Sequence, residues 1–202
     1  PLRIFGSWTL LRAFLAVALV ASTLTLVGGT SPAAAVDQPF SARYTTNTSG
    51  TIQFTANTLL TCTASANCTA AQSGSSGTWA NNNFTMVNVD VDNVGSTSNS
   101  SSATLSIPTG ATVLFAGLYW GAVSNSGQRD EVQLDTPATP GYVYSTVTAS
   151  SLYATSQTYQ GFADITSTVV AAGAGDYTVA GVRARTGRGR HAGWSIVVVL
   201  ED

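Results

Sequence analysis

The sequence predicts an all-β protein, an antiparallel β-sandwich of jelly-roll type preceded by a signal peptide. Three observations carry this. Short runs of β-branched and aromatic residues recur between clusters of Gly, Asn, Ser and Pro, the pattern of many short strands joined by turns. No window after residue 36 shows an apolar period of 3.6. Two runs, VLFAGLYWG (113–121) and WSIVVVL (194–200), are apolar nearly throughout, as expected of central strands covered on both faces.

The first element stands outside the sandwich. Arg3 and Arg12 precede the apolar run FLAVALVASTLTLV (14–27), and Gly28-Gly29, Pro32 and Ala33-Ala34-Ala35 follow. A basic flank, a short apolar stretch and an A-x-A site make a secretory signal peptide. A membrane anchor needs about 20 apolar residues. The expected layout is a signal peptide over 1–35 and a β-sandwich domain over 36–202. The mature domain is expected to be secreted or held at the cell surface, without stable membrane insertion. The sequence opens on Pro1 and stops on Glu201-Asp202 directly after an apolar run, so it reads as a C-terminally truncated piece of a longer product.

Strands are expected at 51–55, 83–92, 103–107, 112–120, 142–147, 152–159, 177–185 and 194–200. MVNVDVD (86–92) alternates, which predicts a half-buried strand. Val87, Val89 and Val91 would be buried, with Asn88, Asp90 and Asp92 wet. Segment 166–172 is expected to form a short helical turn opened by Asp164. Strands 177–185 and 194–200 are expected to pair across the Gly-rich loop RTGRGRHAG. Strand 194–200 should be central, since an exposed strand of that composition invites edge-to-edge aggregation.

Cys62 and Cys68 are the only cysteines. An even count in an exported chain favours a disulfide, and a metal site would need more Cys or His nearby. All eight basic residues are Arg. Without Lys there is no Schiff-base chemistry, no P-loop lysine and no Lys–Asn isopeptide crosslink. One His excludes a multi-His metal centre. A formal charge of −2 gives no case for nucleic acid as partner. The Lys-free, Ala/Thr/Gly-rich composition reads as a GC-rich bacterial gene, so the sequons at Asn47, Asn67, Asn83 and Asn99 are expected to serve loop chemistry.

NSSSATLSIPTGATVLFAGLYWGA (99–122) and AGWSIVVVLED (192–202) resemble segments of large exported bacterial surface proteins. In those proteins a domain of this kind follows the signal peptide, and repeated immunoglobulin-like modules and a wall or membrane anchor often come next. The resemblance covers roughly residues 77–202. It implies an extracellular, adhesin-like β-sandwich with a structural role, and it carries over no catalytic residue.

The candidates for chemistry are few. Asp90, Asp92 and Asn93, beside a Ser-rich loop, are the candidate calcium ligands, because Ca²⁺ takes six to eight oxygens. The competing reading is a solvated strand face. Asp130-Glu131 is a second candidate ligand pair, with a polar turn as its alternative. A Ser–His–Asp triad has only His191 to use, and no G-x-S-x-G elbow is present. Arg183, Arg185, Arg188 and Arg190 form the only charge asymmetry and are expected at a basic hairpin tip, open to an anionic wall polymer or a cell-surface glycan. The competing reading is a solvated loop. Trp79, in a Gly/Asn loop, is the candidate exposed stacking platform. The expected function is a non-enzymatic extracellular domain with a structural or adhesion role. The alternative is a carbohydrate-binding module of an exported enzyme.

Overall fold

The apolar and β-branched runs form strands throughout the described part of the chain. A computed structural model describes residues 41–75 and 79–202, so the expected signal peptide lies outside the described residues. In chain order the strands are β1 (Gly50–Thr58), β2 (Leu60–Cys62), β3 (Thr85–Asn88), β4 (Ser100–Leu105), β5 (Thr112–Val123), β6 (Glu131–Asp135), β7 (Ser145–Thr148), β8 (Ser151–Ala154), β9 (Thr158–Asp164), β10 (Gly175–Ala180), β11 (Gly187–Arg188) and β12 (Ala192–Glu201). Two short helices, α1 (Ala66–Gln72) and α2 (Thr166–Ala172), and a 3₁₀ turn over Asn81–Asn83 complete it.

Every strand pairing is antiparallel. One sheet runs β1-β12-β5-β9-β8, a second β4-β10-β6-β7, and a small third β11-β3-β2. Set aside β2, β3, β8 and β11. The remaining eight strands then lie in the orders first-eighth-third-sixth and second-seventh-fourth-fifth. That is the jelly-roll order, so the expected sandwich is observed.

The core lies between the two larger sheets. Trp194, Ile196, Val198 and Leu200 of β12 are buried, and so are Ala116, Leu118, Trp120 and Ala122 of β5. In register, Trp194 faces Trp120, Ile196 faces Leu118 and Val198 faces Ala116. Tyr177 and Val179 of β10 enter the same core from the second sheet. Two side chains tie the sheets together at one edge. Trp194 Nε1 donates to Ser101 Oγ at 2.8 Å, and Asn57 Nδ2 donates to the Ser102 carbonyl at 2.7 Å.

Strand 194–200 is central, between β1 and β12's other neighbour β5, as expected. Its expected partner is wrong. β10 pairs with β4 and β6 in the opposite sheet, because consecutive late strands of a jelly roll cross between sheets. Gly181, at φ 71°, turns the chain where β10 ends, a conformation glycine adopts without steric cost.

Two further expectations are corrected. Segment 152–159 is two strands, β8 and β9, because the Thr155 hydroxyl accepts from the amides of Gln157 and Thr158 and closes a turn. Segment 83–92 keeps only β3 as strand. Its alternation does not mark a buried valine face: Val87 and Val91 are exposed and Asp92 is buried. Met86 is the residue of β3 that packs against the core.

The helical turn at 166–172 is present as α2, with Asp164 Oδ1 accepting from the Thr166 amide at 2.9 Å. Helix α1 escapes a periodicity search because it has only seven residues. It starts at Ser65, whose Oγ accepts from the Cys68 amide at 3.1 Å, an N-cap. Cys62 and Cys68 are joined in a disulfide with Cα atoms 5.9 Å apart. It staples β2 to α1, and closing so short a loop contributes about 2 kcal/mol.

Candidate functional site

Asp90, Asp92 and Asn93 lie in the loop that leaves β3. Asp92 is only 8% exposed. Its Oδ1 accepts from the Val94 amide at 2.9 Å and the Thr97 hydroxyl at 3.1 Å, and its Oδ2 accepts from the Tyr144 hydroxyl. Asp90 Oδ1 accepts from the Asn93 amide at 3.1 Å, which holds Asn93 in the left-handed region at φ 53°. The Ser100 hydroxyl accepts from the amides of Val91 and Asp92. These carboxylates therefore organise their own loop, which is why the strand stops at Asn88. Among the described residues no group of three or more His, Cys, Asp or Glu side chains is placed to hold a metal ion.

Burial pushes the Asp92 carboxyl up, but the hydrogen bonds from the Tyr144 hydroxyl, the Val94 amide and the Thr97 hydroxyl outweigh it and hold the group below its ordinary value. Tyr144 is pushed upward, by burial and then by Asp92. A depressed folded-state pKa means that the ionised carboxylate stabilises the fold above the unfolded value of about 3.9. That stability is lost as pH falls through the folded value. Asp92→Asn is expected to cost about 1–3 kcal/mol at neutral pH, since its amide group leaves a buried partner unmatched. Its urea midpoint should also fall less steeply in acid than that of the wild type. Parallel acid profiles for the two proteins would refute this role.

A second group of flagged residues meets in space. Glu131, at the start of β6, and Arg183, beyond the end of β10, line one polar pocket of about 130 Å³ with Ser96, Ser98, Gln128 and Gln133. The Asp92 loop thus supplies one wall, and the two regions flagged around Asp130-Glu131 and Arg183 supply the others. Among the described residues no ion pair joins Glu131 to Arg183. Asn99 does not itself line the pocket. It follows Ser98, and its Nδ2 donates at 2.8 Å to the carbonyl of Val182. Its Oδ1 is buried and has no hydrogen-bond partner among the described residues.

The remaining arginines do not form a hairpin tip. β10 ends at Ala180, so Arg183 and Arg185 share no strand face. Arg185 donates its amide to the Val123 carbonyl at 2.9 Å. Arg188 pairs with Thr85 through β11, and the Arg190 carbonyl accepts from Asn81 Nδ2 at 2.9 Å. Trp79 is exposed, as expected, with its ring tilted against Phe84 at 5.7 Å.

Sequence reasoning missed the outer face of the five-stranded sheet. The two apolar runs do not bury it: Val197 and Val199 are only half-buried. Beside them on edge strand β1, Ile52 is 62% and Phe54 76% exposed. In register, Ile52 faces Val199 and Phe54 faces Val197. Part of the face is covered by the chain before β1. Tyr44 stacks on Phe115 at 5.3 Å, and the Arg43 guanidinium lies 4.4 Å above the Phe162 ring. Farther along, Gly121 and Gly193 floor an open trough of about 380 Å³ walled by Tyr119, Gln160 and His191. Among the described residues no hydroxyl or carboxylate is hydrogen-bonded to the His191 imidazole.

Comparison with protein-family models, with curated proteins and with solved structures found no match. The architecture and the surface are therefore the basis for a functional reading.

Proposed function

We propose that this chain is a non-enzymatic extracellular domain of a bacterial surface or secreted protein, with a structural or adhesion role. The observation that carries the reading is the exposed apolar strip of Ile52 and Phe54 beside Val197 and Val199. Contiguous apolar surface of this kind on a soluble domain marks a contact site. The single short-loop disulfide suits an oxidising compartment, and the resemblance to exported surface proteins points the same way.

Antibody labelling of intact cells of the producing bacterium, together with blotting of its medium, tests the location. The chain is expected in one of those two fractions with Cys62 and Cys68 oxidised, and a purely cytoplasmic, reduced chain would refute the reading. For the role, beads coated with the chain are expected to adhere to those cells. Phe54→Ser should reduce adhesion several-fold without lowering the melting temperature, because the side chain is already exposed. Undiminished adhesion would remove the apolar strip from the account.

A further inference from the structure

We infer that the pocket between the Ser96–Ser98 loop, β6 and the chain after β10 is a binding site for one neutral hexose residue. It goes beyond the adhesion reading and does not depend on the apolar strip, which lies on the other large sheet. The pocket holds one carboxylate, Glu131, and one guanidinium, Arg183, with two carboxamides and two hydroxyls. Its formal charge is zero, so neither an anion nor a cation is favoured. What it offers is a dense mixture of acceptors and donors. A sugar hydroxyl is both at once, one O–H donor and two lone pairs. A vicinal pair of hydroxyls can donate to Glu131 and accept from Arg183, and such charge-assisted bonds are the strong ones.

One observation sets this site apart from a wet surface. The two charges sit in one pocket without pairing, so binding need not break an ion pair. Size sets the limit. At about 130 Å³ the pocket is well below the roughly 300–1,000 Å³ of a site for a drug-sized molecule. It therefore suits one ring, either a free monosaccharide or the terminal residue of a glycan.

The test is amide NMR of the purified chain titrated to millimolar concentration with the methyl glycosides of glucose, galactose, mannose and N-acetylglucosamine. The expected result is shifts confined to residues 96–99, 128–133 and 181–183 with at least one of them. Arg183→Met and Glu131→Gln should each weaken that binding roughly tenfold or more, the effect of losing a charged hydrogen bond. Both side chains are exposed, so the variants should melt like the wild type. Oligosaccharides ending in the same hexose separate the two sources. Equal affinity marks a chain end as the ligand, and a loss marks the free sugar. The inference is overturned by absence of shifts with all four glycosides, or by shifts that map instead to Tyr119, Gln160 and His191. Binding unaffected by either substitution overturns it too.

Discussion

A chain ending at Ser195 is expected not to fold. The missing residues include Ile196, Val198 and Leu200, all fully buried. Each such side chain contributes about 1.5–3 kcal/mol by leaving water, so the three account for roughly 5–9 kcal/mol. A typical domain has a net margin of only about 5–15 kcal/mol. Backbone pairing is lost as well, because β12 is bonded to β1 on one side and β5 on the other. Removing residues 196–201 leaves Gly50–Thr55 of β1 with no sheet partner. Circular dichroism and a thermal melt should show no cooperative transition. A cooperative melt near the full-length temperature would mean that β12 is peripheral.

The second large effect concerns a glycine. Gly161 of β9 lies directly across from Trp120 of β5. A Cβ at this position would sit 2.4 Å from Trp120 Cε2. The indole cannot retreat, since it is 1% exposed and its Nε1 donates to the Arg129 carbonyl at 3.3 Å. Gly161→Ala should gain about 0.4–1 kcal/mol from a stiffer unfolded chain and lose about 1–3 kcal/mol to overpacking, so the loss wins. Trp120→Ala should cost about 3–5 kcal/mol by opening a cavity. In the double variant the new methyl enters that cavity. The two costs should therefore fall short of additive by about 0.5–3 kcal/mol in urea melts, whereas strict additivity would show that the glycine is not there to seat the tryptophan.

What the sequence showed and hid follows from the range of the interactions. The continuous apolar run from Trp194 to Leu200 marked β12 as a central strand, because composition is a local fact. Its partners were not legible. A Gly-rich loop after Arg185 looks like a hairpin, yet the jelly roll sends β10 and β12 to opposite sheets. The valines at 87 and 91 misled for a similar reason. Their alternation is real, but the side-chain acceptors Asp90, Asp92 and Ser100 hold the backbone in a loop. At the pocket, Glu131 and Arg183 were legible singly as charges in polar segments. Their meeting depends on β6 pairing with β10, which no spacing in the sequence reveals. The outer-face strip was hidden because Ile52 and Phe54 look like ordinary strand residues.

The pairing of β1 with β12 also governs when the protein can assemble. Gly50 lies opposite Glu201 and Thr58 opposite Gly193, so the first strand of the roll waits for the last. Contacts this distant in sequence slow folding, since a long loop must close before any pairing energy is returned. The Cys62–Cys68 staple bypasses only a few residues of that loop. A chain emerging during synthesis therefore keeps β1 unpaired until β12 has been made, whatever the intervening strands have already formed.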